Sequence, residues 1–352
     1  MRTIHVVTAF TVVTSLTVAI AACHSAQTPD SDSSLHLLNV SYDATREFYH
    51  AYDSLFASTW HKRTGQFLSI EQSHAGSGSQ ARAVIDGLPA DVVTLALPSD
   101  IDAIADAGLA DPAWPTRFPH KSAPFTTTIV FLVRAGNPKS IHDWPDLTRP
   151  GITVITANPK TSGGGRWAYL AAWGAALARS HGDSLAAREY VAQLYTHVIT
   201  LDPSTRAATT TFVERATGDV LLTWETDALL ATHVLAPGAV EIVAPSVSIV
   251  ADPPIAIVDK NVDAHGTRQL ATAYLEGLYA PDAQSLAARS FYRPTDTAVL
   301  AISASQFPAL ARFTADSVFH GWRAAQRAHF ADGGTFDQIE SAAHDSAPRG
   351  TP

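Results

Sequence analysis

The chain has 352 residues, 46% of them hydrophobic, which is enough for about two domains with cores of their own. Its 24 lysines and arginines against 33 aspartates and glutamates give a formal charge of −9, so it has no broad electrostatic claim on nucleic acid or on an anionic membrane surface. Any anion it binds has to be held by local dipoles.

After Arg2 an apolar run at 4–20 ends in Ile20-Ala21-Ala22-Cys23, followed by a polar stretch that includes Pro29-Asp30-Ser31-Asp32-Ser33-Ser34. Residues 1–22 read as a signal peptide or a retained membrane anchor, and the small residues before Cys23 favour cleavage. Cys23 is the single cysteine, so it can make no internal disulfide; its setting resembles the lipobox of bacterial lipoproteins, where it would carry lipid. Ordinary cleavage near Ala19-Ile20-Ala21, with Cys23 a bystander, is the other reading. Residues 23–34 then serve as a flexible tether.

The folded part opens with a short apolar strand at 35–41. Asp43 is placed to cap a helix carrying Phe48, Tyr52, Leu55, Phe56 and Trp60 at helical spacing. A second strand at 67–70 leads to the small-residue turn Gln72-Ser73-His74-Ala75-Gly76-Ser77-Gly78-Ser79-Gln80 and a helix over about 80–87, and 91–96 is a third strand. Strands alternating with helices imply a mainly parallel α/β sheet, whose ligands gather at the carboxyl ends of strands. Ser77 fails the nucleophile-elbow pattern because Ala75 and Ser79 stand where glycines are needed, and the fifteen histidines show no metal-ligand spacing.

After a proline-rich passage at 112–124 come a long strand at 126–133 and, later, a second of similar weight at 254–259. Between them lies a self-sufficient α/β set, so these two strands are expected to cross between two lobes. The expected division is 35–124 in the first lobe, 125–256 in the second, 257–340 back in the first, with helices near 267–279 and 284–289 closing it, and 341–352 a disordered tail.

The centre of the second lobe is Asn158-Pro159-Lys160-Thr161-Ser162-Gly163-Gly164-Gly165-Arg166-Trp167, set between a buried strand at 151–156 and a helix reaching Arg179. Glycines in a strand-to-helix turn leave main-chain N–H groups uncovered at the positive end of a helix, and Ser162 adds a hydroxyl donor. That composition suits an anion receptor, while a plain glycine-rich turn with a capping serine fits the same residues. It is not a nucleotide P-loop, since Lys160-Thr161 precedes the glycines instead of following them. Trp224 closes a strand at 220–224; tryptophan is usually core, yet its indole donates and never accepts, which suits an anion. Arg166 and Arg206 stand near the same loops, where surface pairing with carboxylates is the commoner fate of an arginine.

Several runs together resemble the periplasmic sulfate-binding proteins of ABC transporters, two-lobed solute receptors of the type II fold. They are Leu37-Leu38-Asn39-Val40-Ser41-Tyr42-Asp43, Gln72-Ser73-His74, Gly76-Ser77-Gly78, Ala90-Asp91-Val92-Val93-Thr94-Leu95-Ala96-Leu97, Ser122-Ala123-Pro124, Asn158-Pro159-Lys160-Thr161-Ser162-Gly163-Gly164, Thr211-Phe212-Val213-Glu214-Arg215, Phe291-Tyr292-Arg293-Pro294 and Gly333-Gly334-Thr335-Phe336-Asp337. The resemblance implies a two-lobed α/β fold, each lobe a mainly parallel sheet flanked by helices. It implies a periplasmic or extracytoplasmic receptor, without cofactor or metal, that acts as a monomer, captures sulfate and hands it to permease subunits in the membrane. It implies that the sulfate oxygens are held by the Asp43 N–H, Ser77, the Ser162 hydroxyl, the Gly163, Gly164 and Thr205 N–H groups and the Trp224 indole. The chain departs from the pattern at Pro203-Ser204-Thr205, where the family is Gly/Ala-rich, at Ala75, usually glycine, and at Ala44, usually proline. Thiosulfate, which a sister group binds, is the alternative ligand. The rival from another class is a sulfate or phosphate ester hydrolase with Ser77 or Ser162 as nucleophile and His74 as its base. A lipid-anchored structural or adhesive protein is the third possibility.

Overall fold

The computed structural model describes residues 35–346. The leader, Cys23, the tether and the last residues of the tail lie outside the described residues. Two sheets organise the chain. In the first, the strands run in the order Ile255–Ile257, Val92–Thr94, Leu35–Tyr42, Leu68–Ala75, the last three mutually parallel. In the second the order is Val198–Asp202, Val154–Ala157, Val220–Trp224, Ile129–Arg134, Val240–Val243, with the first three parallel and Ile129–Arg134 antiparallel to both of its neighbours. The strands Val92–Thr94, Ile129–Arg134 and Val220–Trp224 are nearly continuous apolar runs because helices cover both faces, leaving no solvent side to alternate toward.

The strand–turn–helix expectation holds, with shifted ends. The first long helix, Arg46–Thr64, buries Phe48, Tyr49, Tyr52, Phe56 and Trp60 and stops at Gly65, whose φ of 74° is the left-handed cap that glycine adopts without strain. The helix after the second strand begins at Ser77, three residues earlier than expected, because Gly76 in an extended conformation serves as its N-cap.

The chain leaves the side of the first sheet after Thr126 and enters the second sheet at Ile129. Phe125–Thr126 pairs with Arg293–Pro294 in the first lobe, while Ile129–Arg134 lies inside the second sheet. The two crossing strands are tied by an antiparallel bridge between Thr127 and Ala251, with N···O distances of 2.8 and 3.0 Å. Beside it, the buried Glu225 accepts two hydrogen bonds of 2.6 Å from Arg293.

The expected lobe boundaries need correction at the C-terminus. Instead of completing the first lobe, the chain crosses a third time after Pro294. Phe319, Trp322, Phe330, Phe336 and Ile339 are buried in the same core as Trp167, Tyr169 and Tyr195 of the second lobe. Phe336 packs edge-on against Tyr169 and Tyr195, at 5.9 and 5.4 Å between centroids, and Asp337 lies 2.7 Å from Lys160 Nζ. The final helix, Thr335–Ser346, also continues through 341–346, where disorder was expected, since Phe336 and Ile339 anchor its first turns in that core.

Candidate anion site between the lobes

Five segments at the carboxyl ends of parallel strands meet between the lobes, as an open α/β sheet predicts. From the first lobe come Asp43, which opens a short 3-10 turn after Leu35–Tyr42, and Ser77 after Leu68–Ala75. From the second come Ser162 after Val154–Ala157, Thr205 after Val198–Asp202, and Trp224 at the end of its own strand.

The glycines allow this convergence. A Cβ on Gly76 would stand 2.5 Å from Thr161 O of the opposite lobe; one on Gly163 would stand 2.5 Å from Ala96 Cβ and 3.2 Å from Ser77 Cβ. One on Gly164 would lie 2.2 Å from Thr205 Cγ2 and 2.6 Å from Trp224 Nε1. Gly163 therefore touches the first lobe while Gly164 faces Thr205 and the indole. The lobes are closed on each other: Asp43, Ser77, Ser162 and Thr205 are all buried, and Trp224 is 1% exposed.

The caps leave selected donors unused. Ser162, extended at φ −113°, accepts from Gly165 N through Oγ at 3.3 Å, so its own hydroxyl proton is free to donate. The Gly163 and Gly164 amides have no carbonyl one turn back to bond. At the Thr205–Val213 helix, Ser204 Oγ accepts from Ala207 N at 3.3 Å, which leaves the Thr205 N–H free. Ser204 sits at φ −152°, ordinary extended backbone, so the Pro203-Ser204-Thr205 departure costs no left-handed geometry. Trp224 Nε1 is buried without any hydrogen-bond partner. An orphaned buried N–H costs about 1–3 kcal/mol, and it is aimed at the same place as the free amides.

Two expectations need refinement. Asp43 does not cap its own helix, since it lies within the first turn and Tyr42 holds the cap position without a side-chain bond. Its carboxylate crosses to the other lobe instead, where Oδ2 accepts from Arg206 N at 3.1 Å and Oδ1 from the Thr205 hydroxyl at 3.5 Å. Ser77 has its hydroxyl committed, donating to Asp100 at 2.6 Å and accepting from Ala96 N at 3.0 Å, so the donor it has left is the main-chain N–H. His74, the base that a hydrolase needs, points Nδ1 at Tyr42 O, 3.2 Å away, and burial lowers its pKa.

Arg166 and Arg206 flank the site without entering it. Arg166 is buried rather than surface-paired: it lies 3.4 Å from Asp100 and donates to Pro159 O at 2.8 Å. Arg206 makes a two-pronged bond to Glu47 at 2.9 and 2.8 Å. Both pairs join the lobes. The carboxylates that complete them, Asp100 and Glu47, were not singled out in the sequence; the only signal for Asp100 is its place three residues into the helix that opens at Pro98.

Asp227 lies next to this arrangement, 1% exposed, with neither oxygen hydrogen-bonded and Arg206 Nη2 3.6 Å away. Burial pushes its carboxyl up to about 7; Arg206 opposes this, and Asp43 and Glu47 add to it. A carboxyl raised in the folded state contributes stability fully below its unfolded value near pH 4, and that contribution is lost as pH rises toward 7. Asp227→Asn should therefore match the wild type in urea denaturation at about pH 4 and exceed it at about pH 8. A variant less stable than wild type at the higher pH would show that attraction to Arg206 outweighs burial.

Residues 42–293 match the family described as bacterial extracellular solute-binding protein. The chain is 54% identical over 305 residues to the sulfate-binding protein of Escherichia coli (strain K12), covering 87% of this chain and 93% of that one. It is 48% identical over 306 residues to the thiosulfate-binding protein of Pseudomonas aeruginosa, covering 87% and 92%. The sulfate-binding protein SubI from Mycobacterium tuberculosis H37Rv superimposes with a TM-score of 0.75 at 33% identity, over 83% of this chain and 98% of that one. A periplasmic thiamin-binding protein shares the fold alone, with a TM-score of 0.64 at 16% identity. With its two α/β lobes, its crossing strands and a donor-lined seam between them, the chain belongs to the bacterial extracellular solute-binding proteins.

Proposed function

We propose that this protein captures sulfate between its lobes and delivers it to the membrane permease of an ABC importer, performing no chemistry on it. The observation that carries the reading is the partnerless, buried Trp224 Nε1 beside three helix N-termini whose leading amides are free. In this reading the ligand accepts from the Asp43, Ser77, Gly163, Gly164 and Thr205 N–H groups, the Ser162 hydroxyl and the Trp224 indole. All are neutral donors, which lets an acidic protein hold a dianion without a cation in contact. The names of the relatives at 54% and 48% identity support the ligand class. The receptor acts as a monomer outside the cytoplasmic membrane, and the Ile20-Ala21-Ala22-Cys23 run supports a lipid tether on Cys23.

Selectivity follows from the donor set. Sulfate near neutral pH carries no proton, whereas phosphate usually carries one that here would face another N–H or O–H, at a cost of about 1–3 kcal/mol. The Asp43 carboxylate, which would accept such a proton, is turned toward Arg206 and Thr205. Thiosulfate is also an unprotonated dianion and fits the same donors.

Isothermal titration of the anion-free protein tests this. Sulfate and thiosulfate should bind one-to-one in the micromolar range, about −8 kcal/mol, which remains after stripping water from a dianion offsets most of the gross hydrogen bonding. Phosphate should bind at least about tenfold more weakly. Ser162→Ala should weaken sulfate by about tenfold and also lower stability by about 1 kcal/mol, because one hydroxyl serves as ligand donor and helix cap. Equal phosphate and sulfate binding would overturn the all-donor site.

A further inference from the structure

Beside the closed site a groove of about 470 Å³ runs between the lobes. The Ser77–Ile85 and Pro98–Asp106 helices form its first-lobe side; Arg166 and the 323–327 segment form the other. It holds four arginines, Arg82, Arg166, Arg323 and Arg327, against Asp100, Asp102 and Asp106, so it is net positive on a chain of formal charge −9.

That excess is localised. Arg166 is paired with Asp100, and Arg323 with Asp102 at 3.0 Å and Asp106 at 3.7 Å. Arg82 donates only to Ser79 Oγ, at 3.2 Å, and the Arg327 side chain has no hydrogen-bond or ion-pair partner among the described residues. One guanidinium on each lobe thus has no carboxylate in ion-pair contact among the described residues, although Arg82 still acts on Asp100 from farther off. The buried Ser99 hydroxyl, which lines the same groove, is partnerless too.

The groove adjoins the deep site. A Cβ on Gly78, next to Ser77, would stand 3.6 Å from Arg82 Nη1 and 3.8 Å from Arg166 Nη2. Asp100, at the inner end, holds the Ser77 hydroxyl. A dianion approaching an acidic protein meets overall repulsion, so capture gains from a local positive field; such fields raise on-rates by about 10–10³-fold at low salt.

We infer that this groove is an outer anion subsite, in which Arg82 and Arg327, one on each lobe, draw an inorganic dianion toward the mouth of the cleft on its way to the deep site. The inference rests on the sulfate reading above. Because both arginines lie outside the deep site, they act on the rate of capture and leave release from the closed state unchanged.

Stopped-flow tryptophan fluorescence with sulfate tests it at about 0.01 M and about 0.15 M ionic strength, where charges act over about 30 and 8 Å. The variants are Arg82→Gln, Arg327→Gln, the double change, and Lys62→Gln, an exposed control in the last turn of the Arg46–Thr64 helix. The double variant should associate about tenfold more slowly at low salt, with a much smaller difference at high salt. Its dissociation rate should stay within about twofold of wild type, and the single variants should fall between. Lys62→Gln should behave as wild type. Unchanged association in the double variant, an equal loss in Lys62→Gln, or an effect confined to dissociation each overturns the subsite while leaving the deep site standing. A wild-type protein that binds neither sulfate nor thiosulfate overturns both.

Discussion

Gly163→Ala is expected to leave the protein folded and unable to close on its ligand. The added methyl would stand 2.5 Å from Ala96 Cβ, 3.1 Å from Leu97 Cγ and 3.2 Å from Ser77 Cβ, all atoms of the opposite lobe. Real Cβ atoms do not approach to 2.5 Å, so the lobes must stay apart, and the donors at Ser77 and Asp43 no longer reach an anion held at Ser162. The open form meets no such clash. There alanine replaces glycine at the first position of the Gly163–Arg179 helix and is neutral or stabilising by up to about 1 kcal/mol. Sulfate affinity should fall at least about 100-fold, since binding shifts the open-to-closed balance only through contacts present in the closed state. Melting without ligand should be unchanged or raised, and small-angle scattering should show no compaction on adding sulfate. Retained affinity with ligand-induced compaction would mean that Gly163 lies away from the closing surface.

The neighbouring glycines show how much of the site was legible in the sequence. Gly163-Gly164-Gly165 at a strand-to-helix turn pointed to uncovered amides, because that inference needs only local structure. The separate reason for each glycine was not legible. Gly163 is small because of Ala96 and Ser77 in the other lobe, and Gly164 because of Thr205 and Trp224. Gly165 is small because a Cβ there would stand 2.5 Å from Ala157 O in its own strand. These are contacts between distant parts of the chain, and periodicity does not encode them. The same limit explains Asp43, whose local setting suggested a cap on its own helix while its carboxylate reaches one in the opposite lobe. It also explains the last thirty or so residues, since nothing local says that Tyr169 and Tyr195 receive Phe336. The strand–turn–helix order was readable because buried parallel strands and the turns after them have local signatures.

Trp224→Phe separates a ligand donor from a core side chain. Tryptophan at the end of a buried strand is ordinarily packing, and Trp224 does pack, with Tyr42 and Trp167 ring centroids 6.0 and 6.4 Å away. Phenylalanine keeps an aromatic ring there and removes Nε1–H. No protein group accepts from that N–H, so its removal breaks no hydrogen bond within the protein and gives up only the packing of the larger ring. Stability without ligand should therefore change little. With sulfate present the balance differs, because the variant lacks one charge-assisted hydrogen bond of about 1.5–3 kcal/mol, equivalent to roughly 10- to 150-fold in affinity. The rise in melting temperature at fixed sulfate should shrink accordingly, since that rise follows the ratio of ligand concentration to dissociation constant. If Trp224 were core alone, the pattern would invert, with lower stability in the absence of ligand and sulfate affinity unchanged. Measuring melting with and without sulfate, alongside titration, distinguishes the two roles of one side chain.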